Sequence, residues 1–235
     1  MKLSPLLLAA AALTIASVAS AASIKGVVKY EGEAPKFKAI KMDADPMCLS
    51  HHSAEVLPQT LVLGEGQTMA NVFVYVKGGL PAGKTYEAPK AEVILDQKGC
   101  MYDPHVLGVM VGQSVKILNP DGTLHNVHSL SKINPEFNLA MPKFRTEVAK
   151  VFDKPEFMFA MKCDVHPWMG VWVSVMEHPF FSTTKTDGLF EIANLEPGTY
   201  QIEVWHEKLG VKNETVKIES ADETKELNFT FSKPQ

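Results

Sequence analysis

The stretch FMFAMKCDVHPWMGVWVSV, residues 157–175, decides how the chain folds. Apolar or sulfur-bearing side chains occupy every second position of its first part, as in a strand with one buried face. They are Phe157, Phe159, Met161 and Cys163. Valines repeat the same period of two at positions 171, 173 and 175. The stretch therefore predicts two β-strands joined by a short loop that begins at Cys163.

Further short strands are predicted on both sides of this stretch. The run Asn71–Val76 is rich in β-branched and aromatic residues, as in a strand buried on both faces. Val115 and Ile117 alternate with polar neighbours. More period-two runs follow the turn pair Asp187-Gly188.

Residues 135–151 are the only region that hints at a helix, and Pro142 interrupts it. Many short strands separated by frequent turn signals are typical of a β-sandwich or a β-barrel. The sequence therefore predicts an all-β protein.

Composition narrows the functional classes. The chain has 235 residues, 46% of them hydrophobic and 21% charged, with a formal net charge of −4. This apolar share excludes global disorder, and the mildly acidic balance without a basic run argues against nucleic acid as a partner. Three cysteines are too few for a disulfide scaffold. No nucleophile-elbow, H-E-x-x-H or phosphate-loop motif occurs, so we expect no enzymatic activity.

The first residues predict a secretory signal peptide. Lys2 precedes an uncharged apolar run at 6–12, and Ala19-Ser20-Ala21 forms a small-x-small cleavage site. We expect cleavage after Ala21 and export to a bacterial periplasm. The alternative is an uncleaved anchor, but the apolar run is short for a span of about 20 residues. No second stretch is long enough to span a bilayer, so no stable membrane insertion is expected.

One group of residues indicates metal chemistry. Cys163, His166 and Met169 lie within seven residues, and His125 follows a turn upstream. A thiolate, two imidazoles and a weak thioether suit copper in a trigonal site with a long axial bond. The alternative is that Cys163 is a small buried hydrophobe, His166 is exposed and Met169 belongs to the core. The close spacing of all three favours the copper interpretation.

These residues carry a family resemblance. The segment 153–159 followed by Cys163-x-x-His166 resembles the last two strands of type 1 copper proteins, the cupredoxins. The loop C-x-x-H-P-aromatic-M is similar to that of amicyanin, with plastocyanin a longer-looped relative. Asn119-Pro120-Asp121 followed by His125-Asn126 resembles the upstream ligand motif of the family. The resemblance implies a Greek-key sandwich that carries single electrons between redox partner proteins.

The resemblance also implies roles for individual residues. One copper ion of type 1 would be bound by four ligands: His125, Cys163, His166 and Met169. Asn126 would join the two ligand loops by hydrogen bonds, and His128 is the alternative upstream ligand. Pro167 and Trp168 would form an apolar rim around a solvent-facing edge of His166, where partners dock.

The flanks resemble a second family. The segments GVVKYEG at 26–32, DGLFEI at 187–192 and LEPGTY at 195–200 are similar to carboxypeptidase regulatory-like sandwiches, which have a transthyretin-like fold. We expect one split sandwich, 22–90 with 181–235, and an inserted cupredoxin-like domain, 91–180. Two sandwiches in tandem are the alternative. The whole arrangement resembles exported proteins described as methylamine-utilisation-like.

Several residues keep two interpretations. Cys48 and Cys100 are expected to form a disulfide with each other. The alternative is a second metal site, formed by Cys48 with His51 or His52. His105 and His128 are either structural histidines or additional metal ligands. The function itself has two alternatives to electron transfer. One is copper handling for storage, delivery or resistance, and the other is a structural module whose site holds zinc.

Overall fold

A computed structural model describes residues 21–233, so the predicted signal peptide lies outside the described residues except for Ala21. Within that range the protein is almost entirely β-structure. One short helix and sixteen strands occur in this order: β1 (Ala22–Glu31), α1 (Pro46–Ser50), β2 (Phe73–Gly78), β3 (Val93–Asp96), β4 (Val106–Met110), β5 (Ser114–Leu118), β6 (His125–Ser129), β7 (Asn138–Met141), β8 (Glu147–Val151), β9 (Glu156–Lys162), β10 (Gly170–Met176), β11 (Phe181–Thr183), β12 (Leu189–Leu195), β13 (Gly198–His206), β14 (Gly210–Ile218), β15 (Thr224–Glu226) and β16 (Phe229–Ser232). Two single 3₁₀ turns complete it, at Glu65–Gln67 and Lys98–Cys100.

The strands form four sheets, which pack in pairs. In the first pair, β12-β1-β15 with β16 faces β11-β2-β13-β14. In the second pair, β4-β10-β9-β6-β7 faces β3-β5-β8. A separate apolar core fills each pair. The all-β prediction is confirmed.

The first core combines residues that are far apart in sequence. Ile24 and Val28 of β1 pack in the same cluster as Tyr200, Ile202 and Val204 of β13. The strand β1 pairs antiparallel with β12 and parallel with β15 and β16. The domain boundaries at 90/91 and 180/181 and the likeness to carboxypeptidase regulatory-like sandwiches stay predictions.

The helix hint at 135–151 is wrong. This segment forms β7 and β8, and Pro142 lies between them. Proline lacks the backbone donor that a helix interior needs, so the chain turns there and each half pairs with a sheet. The described residues instead contain α1, which begins at Pro46 after the N-cap residue Asp45.

A third apolar cluster joins the two sandwiches. Val72, Val74 and Val76 of the β2 region point into the first core, whereas Phe73 and Tyr75 face the sheet that contains β4, β9 and β10. This explains why the run at 71–76 is apolar on both faces. The four sheets therefore lie in successive layers with an apolar core between each pair of neighbours.

The predicted placement of Phe157 is wrong. Met158 has a φ of 49°, and the register between β9 and β10 shifts at this point. A bulge adds one residue and sends the side chains before it to the other face. Phe157 therefore contacts Tyr75 and Trp205, with ring centroids 5.0 and 6.5 Å away, instead of packing beside Phe159.

The segment between β1 and β2 leaves the first sandwich and crosses the second. Met42 and Cys48 are buried in the second core. A disulfide joins Cys48 to Cys100 across 52 positions of the sequence. We call residues 40–56 the strap. None of the helices among the described residues has the length and hydropathy that a bilayer span requires.

Glu156 stabilises the loop between β6 and β7. Its carboxylate accepts hydrogen bonds from the amides of Lys132 at 2.6 Å, Ile133 at 3.2 Å and Asn134 at 3.1 Å, and from the Ser131 hydroxyl. Burial raises the pKa of Glu156, but these hydrogen bonds outweigh that effect and lower the pKa to about 2. Charged acceptors of this kind contribute about 1.5–3 kcal/mol per bond.

We expect Glu156→Gln to lower the free energy of unfolding by about 2–3 kcal/mol at neutral pH, because an amide cannot accept at both ends. The folded pKa lies below the ordinary value of 4.5, so the charge stabilises the fold above that pH. This contribution is lost as the pH falls from 4.5 towards 2, and the two proteins should converge there. Urea unfolding at several pH values measures the difference. Glu87→Gln, an exposed control, should match the wild type throughout.

Candidate metal centre

The structure brings the four predicted ligand residues to one end of the second sandwich. His125 begins β6, Cys163 follows β9, and Met169 directly precedes β10. The strands β6 and β9 are neighbours, so the upstream histidine meets the loop that contains His166. All four residues are buried, and none exposes more than 2% of its surface.

Three donor atoms converge. The Nδ1 atoms of His125 and His166 are 3.0 Å apart, and the Sγ of Cys163 lies 3.8 Å from Nδ1 of His166. The ligand atoms of the three residues all lie within 4.8 Å of one another. These separations suit a three-coordinate site with bonds of about 2.0–2.3 Å.

Each histidine is oriented by a carboxylate. The Nε2 of His125 donates to Oδ2 of Asp121 at 3.0 Å, and the Nε2 of His166 donates to Oδ2 of Asp45 at 3.0 Å. A carboxylate only accepts, so each ring carries a proton on Nε2, and its Nδ1 points into the site. Both Nδ1 atoms therefore face the Cys163 sulfur.

The loop from Cys163 to Met169 is closed by backbone hydrogen bonds. The Cys163 amide donates to the Met169 carbonyl at 3.2 Å, and the Met169 amide donates to the His166 carbonyl at 3.0 Å. Asn126 joins this loop to β6, since its Oδ1 accepts from the Asp164 amide at 2.7 Å. The loop is thus held at both ends by the sheet.

Electrostatics favour a thiolate. Burial raises the pKa of Cys163, but hydrogen bonds from His125 and from nearby backbone amides lower it to about 7. Burial likewise lowers the pKa of His125, whereas Asp121 and Cys163 raise it to about 9. At neutral pH the metal-free His125 ring therefore carries a proton on both nitrogens, and a metal ion that binds its Nδ1 must displace one of them. The site can then supply one thiolate and two oriented imidazoles, which fits a soft or borderline metal ion such as copper.

The expected exposure of His166 is wrong. The residue is 2% exposed, because the strap covers the edge of the ring that was expected to face solvent. Sγ of Cys48 lies 3.4 Å from its Nε2, and the Trp168 ring lies 5.2 Å away on another side. Trp168 donates from Nε1 to the Cys100 carbonyl at 2.9 Å, so it fastens the disulfide segment to the ligand loop.

The structure decides between the two interpretations of the other cysteines. Cys48 and Cys100 are joined, so neither offers a thiolate and the second metal site at Cys48 is wrong. His52 donates a hydrogen bond from Nε2 to the Gly99 carbonyl oxygen, 2.7 Å away. His51 lies with Nε2 3.7 Å from Oδ1 of Asp121.

His105 and His128 have protein partners at both ring nitrogens. His105 contacts the Gly170 carbonyl at 2.9 Å and the Glu207 carboxylate at 2.6 Å. His128 contacts Asp164 at 2.9 Å and Glu136 at 3.1 Å. Structural roles for both histidines agree with these contacts.

Sequence reasoning missed the two carboxylates as outer partners of the ligands. Asp121 lies in the recognised Asn-Pro-Asp motif, and its position four residues before His125 was a usable signal. Asp45 precedes Pro46, which is typical of a helix N-cap, but no local pattern connects it with His166, 121 positions later.

Substitutions of His125 and of His128 should have opposite effects, because only one of the two is the upstream ligand. We expect His125→Ala to abolish Cu(II)–thiolate absorption, because this ring contributes one of the three convergent donors. His128→Ala should retain the absorption, since its side chain faces Asp164 and Glu136 at the surface. Optical titration with Cu(II) checks both. The reverse pattern would make His128 the ligand.

Comparison with known proteins gives partial matches. No protein-family model and no curated protein matches the chain. Cu-containing nitrite reductase from Thermus scotoductus SA-01 is 21% identical over 43% of this chain and 26% of its own, with a TM-score of 0.34. A Cu(I) amicyanin variant is 21% identical over 44% of this chain and 98% of its own, with a TM-score of 0.33. A purple cupredoxin from Nitrosopumilus maritimus is 26% identical over 37% of this chain and 99% of its own, with a TM-score of 0.29.

These structural neighbours are cupredoxins, and each aligns with less than half of this chain. The chain spans 26% of the length of the nitrite reductase.

Proposed function

We propose that this protein carries single electrons between redox partner proteins as an exported, periplasmic type 1 copper protein that turns over no substrate. One copper ion would be held by His125, Cys163 and His166, with the Met169 thioether as a fourth, weak ligand. The convergence of two Nδ1 atoms and one sulfur in a buried site is the observation that carries this proposal.

The protein fixes the positions of the ligand atoms. The bound copper supplies the one-electron couple. Cys163 and His125 are anchored on neighbouring strands, and the loop to Met169 is closed by two backbone hydrogen bonds. Burial of all four side chains excludes water from the site. A site whose ligand positions are nearly the same in both oxidation states can gain or lose an electron without a large structural rearrangement.

The Met169 side chain belongs to the same buried cluster as Cys163 and lies at the end of the ligand loop. That position supports a role as the fourth ligand, because a thioether is a soft, weak donor. Met169 also anchors the loop through its backbone, so a side-chain substitution leaves those two hydrogen bonds in place.

An optical and EPR spectrum of the purified, copper-loaded protein tests the function. We expect an intense visible band from the Cu(II)–thiolate bond and one copper per chain. Uptake of Cu(II) without this band would overturn the proposal. A preference for zinc would favour the structural module. Loss of copper to a chelator within one redox cycle would favour copper handling.

A further inference from the structure

The strap supplies His166 with a partner from a distant part of the chain. Asp45 precedes α1, and its Oδ2 accepts from Nε2 of His166 at 3.0 Å. The hydrogen bond from His166 holds the pKa of Asp45 below its ordinary value. Nδ1 of the same ring faces Cys163 and His125. The carboxylate therefore fixes both the rotation of the ring and the nitrogen that carries the proton.

Asp45 is itself held in place. Its Oδ1 accepts from the amides of Met47 at 2.9 Å and Cys48 at 3.4 Å, which caps the first turn of α1. The hydroxyl of Thr123 lies 3.4 Å from Oδ2. A single aspartate thus connects the N-terminus of this helix with the ligand loop.

Asp121 occupies the corresponding position on the other side of the site. Its Oδ2 accepts from His125 and from the Cys100 amide at 2.6 Å, and its Oδ1 accepts from the Gly99 amide at 2.8 Å. One carboxylate therefore holds the segment of Cys100, and the other holds the segment of Cys48. The disulfide between these two cysteines therefore cross-links the two segments that the carboxylates hold.

We propose that Asp45 is a positioning residue of the metal site, and that the Cys48–Cys100 disulfide holds it against His166. The proposal rests on the proposed function for its consequence in copper binding. The orientation of His166 by Asp45 is also measurable in the metal-free protein.

The first measurement uses the metal-free protein and ¹H–¹⁵N NMR of the histidine rings. We expect a slowly exchanging Nε2–H signal for His166 in the wild type, because this proton is buried between the ring and a carboxylate. Asp45→Ala should lose the signal, and Asp45→Asn should keep it, shifted, through the amide oxygen. Asp43→Asn, an exposed control on the same strap, should leave it unchanged.

The second measurement uses copper alone as the probe, in competition with a chelator. Removing an outer-sphere partner costs about 10–100-fold in metal affinity, and we expect that loss for Asp45→Ala. Asp45→Asn should raise the reduction potential relative to Asp43→Asn, because a negative charge next to the ligand stabilises the more positive oxidation state. Cys48→Ala with Cys100→Ala should release copper faster than the wild type.

Opposite results separate the two proposals. If Asp45→Ala keeps the slowly exchanging His166 signal and wild-type copper affinity, the positioning role is wrong. If the signal depends on Asp45 but wild-type protein shows no Cu(II)–thiolate band, the proposed function fails and the positioning of His166 stands. Asp45→Ala decides the matter even if the cysteine variant does not fold.

Discussion

Cys163→Ser should yield a folded protein that has no visible charge-transfer band and binds Cu(II) more than about 100-fold more weakly. Loss of an outer partner already costs about 10–100-fold, and this change removes a ligand. The band arises from the Cu(II)–thiolate bond, which a hydroxyl cannot replace. Among the described residues Cys163 is the free cysteine, and the other two cysteines are joined in a disulfide, so no other thiol can replace it as a ligand.

Absorption spectra and copper competition measure this effect, and near-UV circular dichroism checks the fold. Met158→Leu is the matched control, because Met158 lies on the same strand but packs in the cluster between the two sandwiches. It should retain the band at full intensity. A coloured Cys163→Ser protein would show that the thiolate ligand is another cysteine and would overturn the proposed site.

Gly26→Ala should lower the free energy of unfolding by about 3 kcal/mol, because overpacking of this kind costs about 1–3 kcal/mol and occasionally more. A Cβ at position 26 would lie 1.7 Å from the Leu227 carbonyl oxygen and 2.9 Å from the Phe190 ring. The Leu227 amide donates a hydrogen bond to the Lys25 carbonyl at 2.8 Å, and this bond holds the two backbone segments close together. The chain must separate there to accept a methyl group.

Urea denaturation, followed by fluorescence, measures the loss. Gly170→Ala serves as the control, since a Cβ there has its nearest neighbour at 3.9 Å, the Met161 carbonyl oxygen. We expect that variant to lie within about 1 kcal/mol of the wild type. Equal destabilisation of the two variants would show that β1 does not approach Leu227 so closely.

Local patterns in the sequence predicted many of the strands and part of the site. Period-two runs predicted β5, β10 and β13, and the spacing of Cys163 and His166 predicted that their side chains meet. The period-two pattern predicted the wrong face for Phe157, because a bulge inserts one extra residue into β9. A strand with a bulge has the same kinds of residues as a regular strand, so the sequence does not reveal it.

Contacts between distant segments could not be predicted in the same way. The cover over His166 comes from the strap, and no periodicity relates Asp45 to a loop 121 positions later. The apolar run at 71–76 predicted burial on both faces, but not that a second sandwich provides one of them. Such pairings depend on tertiary packing, which a single sequence does not encode locally.

The parallel pairing of β1 with β16 sets an order of events during synthesis. The Val27 amide donates a hydrogen bond to the Asn228 side chain, 201 positions later in the sequence. The edge of β1 that pairs with β16 therefore has no partner until the last strands have been synthesised. Strands β3 to β10 are contiguous in sequence and need no later partner within their own two sheets. The half that contains the candidate metal centre can therefore assemble while the other half is still being made. A chain shortened before β16 should expose the unpaired edge of β1 to proteases and to other copies.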